Sequence, residues 1–141
     1  MESLKVVCPE CSSVSNVKQE SQTAVCSSCQ ADLDDPFPLE VTDASCTIHI
    51  EENDIPILVD FYSKVCGPCM AMYDDYEDAA LGFPMKVRFL KIDADKHQEV
   101  ARKYGVSALP TIIAFKNGEE VNRISSQLSQ IQLSLWAQDL I

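Results

Sequence analysis

The 141-residue sequence has no apolar run that approaches the roughly 20 consecutive residues needed to span a bilayer. Its first residues, Met1 to Lys5, also lack the apolar core of a signal peptide, so we expect a cytoplasmic location. Basic residues are scarce: 11 lysines and arginines face 22 acidic residues, which gives a formal net charge of −11. Because such a surface repels phosphate groups, we expect no nucleic acid and no membrane among the partners. We expect a monomer that binds proteins.

Cysteine, by contrast, is abundant, with seven residues in one short chain. In a reducing compartment structural disulfides are rare, and cysteines more often bind metal or carry redox chemistry. A length of 141 residues fits one ordinary domain with a small attachment, and a hydrophobic content of 46% is sufficient for a packed core. The spacing of the cysteines therefore decides the interpretation.

The chain is organised around the segment Ile57-Leu58-Val59-Asp60-Phe61-Tyr62, which is apolar at successive positions. This pattern predicts a strand that is buried on both faces of a sheet, and Asp60 is its one charged residue. The strand is followed by Cys66-Gly67-Pro68-Cys69, where Gly-Pro indicates a turn and proline fits the first turn of a helix. We therefore predict that Cys66 lies at the N-terminus of a helix.

A cysteine in this position is suited to redox chemistry. Free backbone N–H groups and the helix dipole favour an anion, so Cys66 should ionise more readily than a free cysteine, whose pKa is about 8.5. Only a thiolate attacks a disulfide, and Cys69 lies one helical turn later, where it can close a disulfide onto Cys66. This spacing beside a strand–helix–strand pattern indicates a pair that cycles between dithiol and disulfide.

Four more cysteines form two further Cys-x-x-Cys pairs near the N-terminus: Cys8, Cys11, Cys26 and Cys29. Two facing pairs of this kind supply the four ligands of a closed tetrahedral zinc site. So short a segment cannot build a core of its own, so the metal would supply most of its folding free energy. Two disulfides, or redox pairs without metal, are the alternatives. Because all four positions of such a zinc site are filled, we expect no metal catalysis.

The acidic and proline-rich segment from Asp32 to Pro38 predicts a linker between two units. We assign residues 1–35 to a small zinc ribbon and residues 36–141 to the main domain. In that domain we interpret the seventh cysteine, Cys46, as a small buried hydrophobe and His49 as a solvated helix residue.

The main domain resembles the thioredoxin family. The motifs that carry the resemblance lie between about Leu39 and Ile141: Asp60-Phe61, Cys66-Gly67-Pro68-Cys69, Leu109-Pro110-Thr111 and Phe115-Lys116-Asn117-Gly118. The resemblance implies an α/β protein with the thioredoxin fold, a central mixed β-sheet flanked by helices, here preceded by a ribbon similar to that of some bacterial members. It also implies a protein-disulfide reductase that is recharged by thioredoxin reductase and NADPH and binds no organic cofactor.

The expected elements follow the same order. Strands are predicted over Leu39–Val41, Ile57–Tyr62, Val87–Ile92, Ile112–Phe115 and Val121–Ile124, the last two joined by an Asn-Gly hairpin turn. Helices are predicted over Met70–Ala80, Gln98–Tyr104 and Leu128–Leu140. The segment Cys46–Ile50 alternates like a strand but also fits a helix capped by Thr42 or Asp43, and the resemblance favours the helix.

The resemblance assigns roles to three residues of the redox site. It implies that Cys66 is the nucleophile, that Cys69 is the resolving thiol and that Asp60 is a buried proton-transfer group. Burial of Asp60 disfavours its charged form and raises its pKa toward the range where it can exchange a proton with Cys69. A purely structural aspartate, satisfied by backbone donors, is the alternative.

A substrate groove is implied in the same way. Pro110 matches the cis-proline of the family, although cis bonds are only about 5–6% of X–Pro bonds in folded proteins. In the family the backbone before this proline binds an extended substrate segment, and such backbone pairing tolerates many sequences. The expected groove therefore consists of Val65, Gly67, Pro68, Leu109 and Pro110.

The sequence departs from the family beside the redox pair. Val65 stands where a tryptophan is usual, and Met70 stands where a basic residue is usual. Because this cation near the sulfurs is lost in so acidic a chain, we expect the thiol of Cys66 to be less acidic than in typical relatives.

Two other functions are compatible with the sequence. In the first, the ribbon is the functional part of a zinc-dependent adaptor or redox-sensing chaperone. In the second, the pair belongs to a thioredoxin-like oxidant or isomerase, because the sequence does not fix the reduction potential.

Overall fold

A computed structural model describes residues 3–18 and 24–141 of the chain. The N-terminal unit contains the antiparallel strands β1 (Ser3–Val7) and β2 (Val14–Lys18). Its second cysteine turn is closed by two backbone hydrogen bonds, from Cys26 N–H to the carbonyl of Ala31 and from Leu33 N–H to the carbonyl of Ala24. Both turns project their cysteines toward one point, as a ribbon requires.

The main unit is built on a five-stranded sheet with the order β3-β5-β4-β6-β7. Its strands are β3 (Leu39–Val41), β4 (Ile57–Tyr62), β5 (Arg88–Asp93), β6 (Thr111–Lys116) and β7 (Glu119–Ile124). β3 and β4 run parallel to β5, whereas β6 runs antiparallel to β4 and β7. All six residues of β4 are buried, as its unbroken apolar pattern predicts. This topology confirms the predicted α/β fold with a central mixed sheet.

Helices flank the sheet on both faces: α1 (Asp43–Glu52), α2 (Gly67–Ala71), α3 (Tyr73–Ala80), α4 (Glu99–Lys103) and α5 (Gln130–Asp139). Helix α1 confirms the choice of helix over strand for Cys46–Ile50, and its cap is Thr42, whose hydroxyl accepts the N–H of Ser45. Most other elements match the prediction to within one or two residues at each end. Over the described ranges, no helix has the length and apolar content to cross a bilayer.

The helix predicted over Met70–Ala80 is present but is interrupted at Met72. The helix begins earlier, at Gly67, and Met72 divides it into α2 and α3. Met72 is fully buried, and its Sδ accepts the N–H of Leu128 at 3.4 Å. Met72 thus packs against the loop before α5 at the point where α2 and α3 meet. The sequence of the helix contains no local pattern that predicts this contact.

Apolar side chains fill both faces of the sheet. On one face, side chains from β4, β5 and β6 pack against α3 and α5, and this cluster includes Leu58, Tyr76, Phe89, Ile112 and Leu133. On the other face, the strands pack against α1 and α4, and this cluster includes Cys46, Ile50, Val59, Ile92 and Phe115. Cys46 is completely buried, which confirms its interpretation as a small hydrophobe.

The ribbon packs against the edge of the sheet where β4 and β5 begin. Lys5 N–H donates to Oδ2 of Asp54 at 2.7 Å, and Asp54 N–H donates to the carbonyl of Lys5 at 2.8 Å. One apolar cluster spans both units, from Val6, Val17 and Leu33 of the ribbon to Ile55 and Met85 of the main domain. The redox turn follows the other end of β4, so about 20 Å of strand separates it from the ribbon.

The interpretation of His49 as a solvated residue is wrong. The side chain is completely buried, and burial lowers its pKa to about 3, so the ring is neutral. Its Nδ1 accepts a hydrogen bond of 2.9 Å from Nδ2 of Asn53. The error arises because the ribbon covers this end of α1, and no local sequence pattern shows that contact.

Tyr76 joins α3 to the centre of the sheet. Its hydroxyl lies 2.7 Å from the carbonyl oxygen of Leu90 and 3.2 Å from that of Leu58, so it links β5 to β4. We expect Tyr76→Phe to lower the free energy of unfolding by about 1 kcal/mol, the usual contribution of a buried hydrogen bond. Urea denaturation of the oxidised protein measures this change.

The matched control is Tyr104→Phe. The Tyr104 ring packs edge-on against Phe115, and its hydroxyl forms no hydrogen bond within the described part of the chain. We expect this substitution to change stability by less than about 0.5 kcal/mol. Equal stability changes for the two variants would contradict the role of the Tyr76 hydroxyl.

Candidate active site

The two cysteines of the turn lie at the start of α2 and are joined as a disulfide. Their Cα atoms are 5.3 Å apart. Cys66 is the N-cap of α2, and its Sγ accepts the N–H of Cys69 at 3.3 Å, which confirms the predicted position at a helix N-terminus. Cys66 is partly exposed, whereas Cys69 is 2% exposed. Only one of the two sulfurs is therefore accessible to a protein substrate.

The loop between β4 and α2 is held by a side-chain network. The Ser63 hydroxyl donates to Oδ2 of Asp95 at 2.5 Å and accepts the N–H of Val65 at 3.3 Å. These bonds fix the backbone just before Cys66. Sequence reasoning missed Ser63 and Asp95 as site residues, because two polar residues far apart in the chain give no local signal of their contact.

The structure brings the predicted groove residues to Cys66. The Leu109–Pro110 peptide bond is cis, as the resemblance implies, and the carbonyl oxygen of Leu109 lies 3.6 Å from Sγ of Cys66. Pro110 itself is buried, whereas Val65 is 91% exposed next to the disulfide. An accessible sulfur, an exposed apolar side chain and an exposed backbone segment thus share one surface.

The loop before β6 is fixed by Thr111. Its hydroxyl donates to the carbonyl of Ala108 at 2.6 Å and lies 2.8 Å from the hydroxyl of Ser125, which is therefore the donor to it. Ser125 follows β7, so the contact ties the end of the hairpin to the loop that carries Pro110. Thr111 belongs to a motif that carries the family resemblance, but no sequence pattern predicted its contact with Ser125.

Asp60 is a buried carboxyl on β4. It is 3% exposed, and its Oδ1 has no hydrogen-bond partner among the described residues. Because side chains alternate along a strand, Asp60 faces the same side as Leu58, toward α2 and α3. Burial raises the pKa of Asp60 to about 7, while the charge of Lys91 lowers it and that of Glu40 raises it. A purely structural aspartate would accept hydrogen bonds from backbone N–H groups. Among the described residues no such bond reaches Oδ1 of Asp60.

Lys91 supplies positive charge beside this carboxyl. It is paired in register with Asp60 on one side and with Glu40 on the other. Its ammonium group lies 3.9 Å from the ring centroid of Tyr73 and 5.1 Å from that of Tyr62, and both contacts are cation–π interactions. The Tyr62 hydroxyl donates to Glu40 at 2.7 Å. This cluster was also missed from the sequence, because it joins residues on three strands and a helix.

The four N-terminal cysteines form a second site. Their Sγ atoms lie within 4.8 Å of one another, with Cys8 and Cys29 at 3.6 Å and Cys11 and Cys26 at 3.7 Å. A zinc ion with bonds of about 2.3 Å to four sulfurs places them about 3.8 Å apart, so the spacing fits a tetrahedral site. Backbone N–H groups of Glu10 and Ser28 donate hydrogen bonds to Sγ of Cys8 and Cys26.

Comparisons with known proteins agree with this geometry. The family model described as Thioredoxin matches residues 37–139. The chain is 37% identical over 95 residues to the probable thioredoxin-2 of Caenorhabditis elegans, a match that covers 67% of this chain and 66% of that protein. It is 29% identical over 133 residues to thioredoxin C-3 of Corynebacterium nephridii, which covers 93% of this chain and 91% of that protein.

Among solved structures, a mutant thioredoxin from Halobacterium salinarum NRC-1 superposes with a TM-score of 0.68 at 29% identity, over 74% of this chain and 91% of that one. With the family match over most of its length, the chain belongs to the thioredoxin family. It has the thioredoxin fold and is a thioredoxin-type disulfide reductase with a redox-active cysteine pair. Its four-cysteine cluster fits an N-terminal zinc ribbon.

The pKa of Asp60 makes stability depend on pH in a defined direction. The folded-state pKa of about 7 lies above the ordinary value of 3.8, so the group favours folding fully below pH 3.8. This contribution falls as pH rises and is lost once the pH passes 7. We expect Asp60→Asn to become more stable relative to wild type by about 4 kcal/mol between pH 4 and pH 8. Urea denaturation across this pH range measures the difference.

The matched control is Asp54→Asn. Asp54 accepts its hydrogen bond at the exposed edge of the ribbon, away from the redox site. Because this carboxyl is not buried, we expect Asp54→Asn to show no comparable gain in relative stability between pH 4 and pH 8. A stability difference for Asp60→Asn that does not change with pH would contradict the raised pKa.

Proposed function

We propose that the protein reduces disulfides in other proteins, with Cys66 as the nucleophile and Cys69 as the resolving thiol. The observation that carries the proposal is the unequal access to the two sulfurs at the N-terminus of α2, one partly exposed and one buried. A substrate disulfide reaches Cys66 first, and the buried thiol reacts only within the mixed disulfide.

The exchange proceeds in two steps. The Cys66 thiolate attacks one sulfur of the substrate, so that a Cys66–substrate bond forms, the substrate disulfide breaks and its other sulfur leaves as a thiolate. The Cys69 thiol then loses its proton and attacks Sγ of Cys66, which forms the Cys66–Cys69 disulfide and releases the second substrate thiolate. Two electrons have passed to the substrate. Thioredoxin reductase, with NADPH as the electron source, is proposed to restore the dithiol.

We assign the proton of the second step to Asp60. A carboxyl with a pKa near 7 is divided between its two forms at neutral pH, so it can accept a proton from Cys69 and return it later. Asp60 faces α2 and α3. Lys91, on the adjacent strand β5, lowers its pKa, and Glu40, on the next strand β3, raises it. Oδ1 of Asp60 has no hydrogen-bond partner among the described residues, so this oxygen is free for the proton exchange.

The docking groove is proposed to consist of Val65, Gly67, Pro68, Leu109 and Pro110. The exposed backbone of this surface suits an extended segment of the substrate, and the exposed Val65 offers an apolar contact without strong selectivity. The acidic surface and the absence of any bilayer-spanning helix among the described residues support a cytoplasmic monomer that acts on proteins.

Zinc is proposed as a structural ion of the ribbon. Cys8, Cys11, Cys26 and Cys29 would hold it, and it would stabilise residues 1–35, which have little core of their own. The ribbon lies at the opposite end of β4 from the redox turn, so the dithiol exchange involves only residues of the main domain, 36–141.

The first test removes each sulfur in turn. We expect Cys66→Ser to reduce dithiothreitol-driven turnover of a model protein disulfide to the rate of dithiothreitol alone, since the nucleophile is gone. We expect Cys69→Ser to trap the mixed disulfide, which non-reducing electrophoresis and mass spectrometry detect.

The control for this test is Cys11→Ser, which alters an exposed cysteine of the ribbon. We expect it to keep most of the reductase rate. The opposite pattern, with activity lost in Cys11→Ser and kept in Cys66→Ser, would favour a zinc-dependent adaptor or redox-sensing chaperone. A high reduction potential in a glutathione buffer would favour an oxidant or isomerase.

The second test concerns the acidity of Cys66. Met70 is 40% exposed on α2 and directly follows Cys69. We expect Met70→Lys to lower the pH midpoint of Cys66 alkylation by iodoacetamide by roughly half a pH unit, because a screened surface cation contributes less than about 1 kcal/mol. Met70→Leu, which changes shape but not charge, should keep the wild-type midpoint. An equal shift in both variants would rule out the electrostatic explanation.

A further inference from the structure

A buried arginine links the main sheet to the ribbon. Arg88, the first residue of β5, is 4% exposed, and its Nη2 donates a hydrogen bond of 3.2 Å to the carbonyl oxygen of Val7. The N–H of Val7 donates to Oδ1 of Asn53 at 2.8 Å, and this bond is buried as well. Side chains of the main domain therefore hold both backbone groups of Val7, the residue directly before Cys8.

His49 fixes the orientation of the Asn53 side chain that binds Val7. Because Oδ1 of Asn53 accepts from Val7, the Nδ2 of Asn53 is the donor to Nδ1 of His49. His49 is neutral and completely buried, so its ring accepts this bond and holds the amide in one orientation. Asn53 is therefore not free to rotate away from Val7, and the peptide before Cys8 has a fixed place on the main domain.

Arg88 carries a charge that is costly to bury alone. Within residues 3–18 and 24–141 it forms no salt bridge, and its Nε has no hydrogen-bond partner. Burial lowers the pKa of Arg88 to about 10, while the negative charges of Asp35, Cys8 and Asp34 favour its charged form. Arg88 is thus a cation at neutral pH, and the negative charge that it faces belongs to the ribbon and its linker.

We propose that Arg88 is a positioning residue of the metal centre, which holds the peptide before Cys8 and compensates the charge of the thiolate cluster. This inference rests on the proposed zinc site. Four thiolates around one divalent ion leave a net negative charge, so the buried cation is stabilised when the ion is bound. Zinc binding and the stability of the sheet at β5 are therefore coupled through this side chain.

The test compares zinc affinity in three variants of the full chain. Arg88→Met removes the charge but keeps an apolar stem, Arg88→Lys keeps the charge, and Asn53→Ala removes the uncharged contact to the same peptide. Competition with a chromogenic chelator at fixed pH gives each zinc dissociation constant. We expect Arg88→Met to weaken zinc binding about 10–100-fold, the usual effect of changing a residue around metal ligands. Arg88→Lys should restore most of the affinity, and Asn53→Ala should lose less than Arg88→Met.

A second measurement separates this role from a merely structural one. Denaturant unfolding of the zinc-loaded and the metal-free protein is measured for wild type and each variant. We expect Arg88→Met to destabilise the loaded protein more than the metal-free protein, because the loaded cluster adds net negative charge to that of Asp34 and Asp35. A side chain that only packs would affect both states equally. If Arg88→Met does not fold, Arg88→Gln, which can donate to Val7 but has no charge, takes its place.

Two outcomes overturn the inference in distinguishable ways. Equal zinc dissociation constants for wild type and Arg88→Met, or equal destabilisation in both metal states, overturn the role of Arg88 and leave the zinc site intact. Failure of the wild-type protein to bind zinc, and to develop the thiolate-to-metal absorption with Co²⁺, overturns the proposed site and this inference with it. The disulfide-reduction assay on the same samples reports on the redox function independently.

Discussion

The positions of the redox turn and of the ribbon both depend on the complete burial of β4. The strand is paired in parallel with β5 and antiparallel with β6, and all six of its residues are buried. Its register is therefore fixed, because a slip of one residue would turn Asp60 and Leu58 to the opposite face of the sheet. The strand ends where the redox turn begins, and it starts where the ribbon packs. One rigid element thus places a reactive pair of sulfurs and a structural set of four at opposite edges of the sheet.

Charge around the redox turn is set by few groups in an acidic chain. The position after Cys69 holds Met70 instead of a cation, so the N-terminus of α2 stabilises a Cys66 thiolate without help from that position. The described cation beside Asp60 is Lys91, which two tyrosine rings hold in place. Burial raises the pKa of Asp60 to about 7, and Glu40 offsets part of the lowering by Lys91, so the carboxyl can both accept and donate a proton near neutral pH.

Sequence patterns predicted the parts of this protein that are local. Thr42 marked the start of α1, the unbroken apolar run marked β4, and the cysteine spacing marked both clusters. The cis bond before Pro110 followed from the resemblance alone, because local sequence gives only a weak preference for that isomer.

The features that the sequence did not predict are tertiary contacts. The break at Met72, the burial of His49 and the pairing of Ser63 with Asp95 each depend on a partner distant in the chain. The cation–π contact of Lys91 with Tyr73 and the hydrogen bond from Arg88 to Val7 also join residues that are distant in the chain. A single sequence reports periodicity and spacing along one segment, and these contacts join segments whose separate patterns are ordinary.

Asp60 and Arg88, two buried charged residues on neighbouring parallel strands, illustrate opposite solutions to the cost of burial. Asp60 can lose its charge by binding a proton, and with a pKa near 7 it changes form at little cost under neutral conditions. An arginine remains protonated, so Arg88 needs a counter-charge that does not titrate away at neutral pH. A proton-transfer group must be of the first kind, because a group fixed in one charge state exchanges nothing. The proposed link to a metal–thiolate centre suits a group of the second kind, because an arginine keeps its charge at neutral pH and can compensate the negative charge of such a cluster.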